Sequence, residues 1–248
     1  GQSSFHHSKF APYPGGFSFN AIDDVYNAID DETVAVMIEL VQGEGGVFPF
    51  DKEKIKELAK FLKENDILLI IDEVQTGVFR TGEFLASNLY EIEPDIITLA
   101  KGIGGGVPMG AVMTKHKDIW TAGDHGSTFG GNYLVTAAAL EVLDILENLK
   151  DSGTLDETII YFTKKLNDIF EANRDIFITH VGLGLMRGLR VKDADTLASL
   201  IKTAFEFGVM VLKSGNNTLR FLPALTISKS EIDEGFIRLQ KAITKIKS

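Results

Sequence analysis

The chain has 248 residues, 44% hydrophobic and 24% charged, an ordinary globular composition and enough length to bury a sizeable core. A net charge of −10 and an isoelectric point near 5.0 speak against a nucleic-acid partner, because phosphate backbones are met by clustered Lys and Arg and no basic stripe occurs. The lack of cysteine excludes disulfides and thiolate metal sites, and no apolar run is long enough to cross a bilayer, so the expectation is a cytoplasmic protein without a membrane partner.

The first residues carry neither an opening Met nor a signal-peptide pattern, and residues 5–19 are aromatic, Pro-rich and Gly-rich without periodicity. They read as a loop lying against other structure, and we expect an amino-terminal portion to precede this sequence. Residues 23–29 look helical, and residues 34–39 read as a buried strand running into the Gly-rich turn 42–46. Over 51–65, Lys and Glu alternate on one side with Ile55, Leu58, Ala59 and Leu62 on the other, which predicts a helix. Residues 67–71 and 96–100 are short, branched and continuously apolar, as strands buried on both faces are. Strand–helix–strand order through residue 115 implies parallel pairing with right-handed crossovers.

A long helix is expected over 132–149, with a break at 150–153. Beyond it the pattern predicts a helix at 154–173, a strand pair at 176–181 and 184–191, a helix at 193–207, strands at 209–212 and 218–221, and a closing helix from Ser230. The expectation is an α/β protein: a mostly parallel large domain over 1–150 and a smaller α+β domain over 151–248.

Two apolar strands end in charge. One delivers Asp72, the other Lys101 followed by glycines, and ligands of open α/β sheets bind at that edge. An acid and an amine there suit a cofactor whose ring needs a carboxylate partner and whose aldehyde needs a lysine. Each also has a plainer reading. Lys101 could be a solvated strand-end lysine rather than a partly desolvated one, and Asp72 a turn cap. The segment Gly126-Ser-Thr-Phe-Gly-Gly131 ahead of a helix is either an anion site or an N-cap with its loop. Arg220, interrupting an apolar strand, binds a carboxylate bidentately or makes a structural ion pair. The Gly-rich segments 43–46 and 102–106 lack the residues of a P-loop or a dinucleotide fingerprint. His6, His7, His116, His125 and His180 have no metal-ligand spacing and read as surface or loop residues.

In order along the chain, five motifs resemble those of the class III, fold-type I aminotransferases that use pyridoxal 5′-phosphate. They are Glu39-Leu-Val-Gln-Gly-Glu-Gly-Gly46, Asp72-Glu-Val-Gln-Thr-Gly-Val-Phe-Arg-Thr-Gly82, Leu99-Ala-Lys-Gly-Ile-Gly-Gly-Gly-Val-Pro-Met-Gly110, His125-Gly-Ser-Thr-Phe-Gly-Gly-Asn132 and Leu219-Arg-Phe-Leu-Pro223. The resemblance implies that Lys101 holds the cofactor covalently and then moves a proton, that Asp72 meets the pyridine nitrogen, and that Val74 packs on one ring face with Gln75 near the phenolic oxygen. It implies that Thr128, with Ser127 beside it, is a phosphate ligand donated to the neighbouring subunit of a homodimer with composite sites. It implies that Arg220 binds a substrate α-carboxylate and that Glu44 pairs with Arg220 when the site is empty; in the related ornithine enzymes that acid helps decide which amino group is presented.

Within the family the motifs come nearest to the branch that transfers the δ-amino group of N-acetylornithine to 2-oxoglutarate in arginine biosynthesis. Succinyldiaminopimelate, succinylornithine, ornithine and 4-aminobutyrate are the neighbouring donor specificities. A non-catalytic chain, either a truncated remnant or a subunit that lends Thr128 and a dimer surface to a partner, is the reading from another class. Leu40 and Tyr133 stand where the family usually or often has proline. Matching begins at Phe17, so the family's main phosphate-binding turn, its stacking aromatic and part of its substrate pocket are expected on a preceding portion.

Overall fold

The structure, a computed structural model, describes residues 22–117 and 126–247. The loop expected at 5–19 and the residues His6, His7 and His125 lie outside the described residues.

Helix α1 (Ile22–Ala28) leads into strand β1 (Ala35–Ile38), a small hairpin of β2 (Val41–Gln42) and β3 (Phe48–Pro49), and helix α2 (Lys52–Glu64). Asp51 caps α2 by accepting the Lys54 N–H at 3.0 Å, and Ile55, Leu58 and Leu62 form its buried stripe. Strand β4 (Leu68–Asp72), helix α3 (Ala86–Tyr90), strand β5 (Ile96–Leu99), a 3₁₀ turn (Lys101–Gly104) and strand β6 (Ala111–Thr114) follow. The first sheet has the order β1-β4-β5-β6. Its first three strands are parallel, as expected, but β6 runs antiparallel to β5. The link from β5 to β6 holds only the 3₁₀ turn, and without a helix to cross over the chain returns alongside the strand it has just left.

Asn132 caps α4 (Tyr133–Asp151), its Oδ1 accepting the N–H groups of Leu134 and Val135. Gly153, at φ +76°, turns the chain into α5 (Thr154–Ala172). Strands β7 (Phe177–Leu183) and β8 (Met186–Val191), helix α6 (Ala194–Glu206), strands β9 (Leu212–Ser214) and β10 (Thr218–Phe221) and helix α7 (Lys229–Lys247) complete the chain. The second sheet is antiparallel throughout, in the order β7-β8-β10-β9. The strand expected at 209–212 is displaced to Leu212–Ser214, because those are the residues whose backbone faces Thr218, Leu219 and Arg220 in the ladder.

The two sheets share an apolar cluster. Leu99, Ile103 and Leu146 pack in it with Leu166, Leu189, Leu219 and Phe236. Backbone contact reinforces the junction: Leu185 N–H, at the β7–β8 turn, donates to Arg80 O at 3.0 Å, and Arg80 Nη1 donates to Pro223 O at 2.6 Å and Leu185 O at 3.3 Å.

Candidate active site

Asp72 ends β4 and is the register partner of Thr98 on β5. Its Oδ1 accepts two hydrogen bonds, from Val74 N–H at 2.9 Å and from the Thr98 hydroxyl at 3.2 Å. Among the described residues no hydrogen bond reaches its Oδ2. Three residues after Thr98, Lys101 opens the 3₁₀ turn with a left-handed backbone, φ +50°. That conformation is uncommon for a residue with a side chain. Lys101 is exposed within this chain, which matches the solvated one of its two readings. A Cβ at Gly102 or Gly106 would meet nothing within 4 Å, whereas one at Gly105 would lie 2.5 Å from Val142 of α4. Gly105 therefore seats the turn on the helix and the flanking glycines leave its approach open.

The β2–β3 turn brings Glu44 to the same edge. Arg220 Nη1, from β10, donates to Glu44 Oε1 at 2.6 Å and to Gly43 O at 3.1 Å, and Gln75 Oε1 stands 3.5 Å away. Arg220 is only 8% exposed, and its Nε is buried without a hydrogen-bond partner among the described residues. Ser214 Oγ donates to Gly43 O at 2.8 Å and accepts the Gly46 N–H at 3.0 Å, while Gly215 N–H donates to Glu44 O at 2.9 Å. The second sheet thus grips the turn from one side and Gln75 backs it from the other.

Charge follows this geometry. The Arg220 hydrogen bond holds the Glu44 carboxyl below the usual carboxylate range, with Lys101 adding to the effect. Burial pushes Glu39 up; Asp72 adds to the rise, and the Gly43 N–H and Lys101 oppose it.

Of the residues expected at the site, Glu44, Gln75 and Arg220 are in direct contact, Val74 touches Asp72, and Lys101 is close enough to act on Glu44 electrostatically. Ser127 and Thr128 are exposed ahead of α4, and Ser127 Oγ accepts the Gly130 N–H at 2.9 Å. Among the described residues, no hydrogen bond or ion pair joins either one to Asp72, Lys101 or Arg220. Thr98, Glu39 and Ser214 were not anticipated. Thr98 had a signal, as the polar residue in an otherwise apolar strand, and Glu39 opens the first motif.

The family model for aminotransferase class-III matches residues 11–243. The chain belongs to the class-III aminotransferases. Relatives of this class-III chain include the acetylornithine aminotransferase of Wolinella succinogenes, 54% identical over 99% of this chain and 63% of the relative. The succinylornithine transaminase of Salmonella enteritidis is 41% identical over 96% of this chain and 60% of its own length. The chain spans about three-fifths of the length of the curated relatives it matches. Among solved structures, the N-acetylornithine aminotransferase of Stenotrophomonas maltophilia superposes with a TM-score of 0.80 at 31% identity, covering 93% of this chain and 62% of the other. The ornithine aminotransferase of Toxoplasma gondii gives 0.84 at 30% identity, covering 93% and 56%. Another structure of that Toxoplasma protein is described as having partial occupancy of PLP at its active site.

The residues present fit such a cofactor. A carboxylate with one oxygen held by two donors, an amine on a glycine-flanked turn and a buried arginine with an unpartnered Nε converge at one sheet edge.

Proposed function

We propose that this chain is the lysine-bearing part of a pyridoxal 5′-phosphate-dependent aminotransferase. It moves the δ-amino group of N-acetylornithine to 2-oxoglutarate in arginine biosynthesis, in the cytoplasm, as a homodimer with composite sites. The observation that carries the reading is Arg220, a buried guanidinium held ready by an exposed acid, Glu44, at the edge that bears Lys101 and Asp72. Relatives named acetylornithine aminotransferase at 54%, 42% and 40% identity support this choice of donor.

When bound, the cofactor supplies an electron sink for the pair released as the C–H bond beside the amino group breaks. Lys101 holds the cofactor, then takes the proton from that carbon and returns it on the other side of the transfer. Asp72 Oδ2 keeps a proton on the ring nitrogen, and the Thr98 and Val74 donors fix the plane of that carboxylate. Val74 and Gln75 are the residues that would hold the ring from one face and at its phenolic oxygen. Thr128, with Ser127, binds phosphate across the dimer interface, consistent with its exposure in a single chain.

Arg220 suits the acceptor particularly well. The keto group of 2-oxoglutarate is adjacent to its α-carboxylate, so an arginine close to Lys101 can hold that carboxylate while the keto carbon reaches the lysine. Glu44 yields the guanidinium as the substrate arrives. In the donor the reacting amino group lies at the opposite end from the α-carboxylate, so Glu44 can stay on Arg220.

Borohydride reduction of the protein loaded with pyridoxal phosphate, followed by peptide mapping, tests the reading. A pyridoxyl adduct confined to Lys101, and lost with transamination in Lys101→Ala, is expected; activity retained by that variant overturns it. A second reading, transamination of succinylornithine or ornithine, draws on the Salmonella and Toxoplasma relatives. Turnover compared across the three donors separates them.

A further inference from the structure

None of the roles given above uses Glu39. It follows β1 directly, and continuing the register that sets Ile38 beside Ile71 places it at the sheet edge in line with Asp72, which pairs in turn with Thr98. Its half-buried Oε2 accepts the Gly43 N–H at 3.0 Å. Gly43 is where the carboxylate site is assembled. Its carbonyl accepts from Arg220 Nη1 at 3.1 Å and from Ser214 Oγ at 2.8 Å. Its Cα lies so close to Gln75 that a Cβ there would stand 2.4 Å from Gln75 Oε1. One residue therefore meets the cofactor edge through its N–H and the arginine through its C=O.

We propose that Glu39 is a positioning residue for carboxylate binding: by holding the Gly43 N–H it sets where the Gly43 carbonyl, and with it the Arg220 guanidinium, stands relative to Lys101. This rests on the aminotransferase reading and deepens it. What the arrangement needs from Glu39 is an acceptor of the right length. Charge is secondary, because Asp72, Glu44 and Lys101 already surround the group with both signs. A glutamine can accept the same N–H, whereas alanine cannot. Loss of a hydrogen bond that orients a buried cation is expected to weaken binding about tenfold.

The test uses the natural full-length chain loaded with pyridoxal phosphate. In Glu39→Ala the KM for 2-oxoglutarate is expected to rise about tenfold, with kcat changing much less, and Glu39→Gln restores it. Independently of turnover, deuterium uptake in the peptide covering residues 40–47 speeds up in Glu39→Ala and returns toward wild type in Glu39→Gln. If the alanine variant does not fold, Glu39→Met, of similar length and without a strong acceptor, replaces it. An unchanged KM, unchanged deuterium uptake, or a glutamine variant as impaired as the alanine one overturns the proposal. Wild-type protein without transamination overturns the proposed function itself; active wild type with an unaffected alanine variant overturns only the role given to Glu39.

Discussion

Thr98 and Asp72 face each other on adjacent parallel strands, and the threonine hydroxyl donates to the same carboxylate oxygen, Oδ1, that the Val74 N–H already holds. Two donors on one oxygen fix the carboxylate's rotation and direct Oδ2 outward. The aim of the acid is thus set by strand register as well as by its own backbone.

Thr98→Val keeps the shape of the side chain and removes the donor. A hydrogen bond to a charged group contributes about 1.5–3 kcal/mol, so cofactor affinity should fall at least about tenfold. Spectroscopic titration with pyridoxal phosphate measures this, and urea unfolding of the cofactor-free protein should show a much smaller change. Loss of stability without loss of affinity would mean that the hydroxyl serves the fold alone.

Arg220→Lys should raise the KM for 2-oxoglutarate about a hundredfold, because an ammonium cannot offer two parallel N–H groups to a carboxylate. The same substitution should affect the N-acetylornithine KM far less if Glu44 keeps its place during the donor half-reaction. Equal rises for both substrates would count against separate modes of binding.

Glu39 predicts a pH signature. Burial raises its pKa in the folded chain above the unfolded value, so the stability it contributes is complete below the unfolded pKa of about 4.5 and is lost as pH rises through the raised folded value. Glu39→Gln removes this titration. The variant should therefore gain on wild type in urea unfolding midpoints at pH 8 relative to pH 4, and an equal difference at both pH values would exclude the effect.

Gly184→Ala tests the junction between the sheets. Gly184, at φ +54°, takes the first central position of the two-residue β7–β8 turn, and a Cβ there would lie 2.5–2.7 Å from the backbone of Arg80 and Thr81. Backbone cannot move aside as a side chain can, and the left-handed conformation adds about 1–2 kcal/mol. A loss above about 2 kcal/mol in chemical denaturation is expected. A neutral substitution would show that the hairpin tip is not packed on that turn.

Much of this site was legible because buried parallel strands read as unbroken apolar runs, so the charges that end them stand out. Asp72 and Lys101 were found in this way, and Arg220 because it interrupts such a run. Thr98 and Glu39 were harder, since their importance lies in register between strands far apart in sequence: the Thr98–Asp72 hydrogen bond spans 26 positions. Composition alone favours a strand at Val209, Met210 and Val211, while the ladder pairs the more polar Lys213 and Ser214. The direction of β6 depends on the link before it lacking a helix, which the glycine cluster only hinted at.

The left-handed backbone at Lys101 sets a limit on how the site can be improved. The conformation suits glycine, yet glycine has no amine, and the proposed function needs one here. Lys101→Gly and Lys101→Ala should be equally inactive, but the glycine variant should be more stable to denaturant by about 1 kcal/mol of unfolding free energy. Stability alone favours glycine at this position, so under the proposed function the lysine gives up part of the fold's stability in exchange for an amine at the sheet edge.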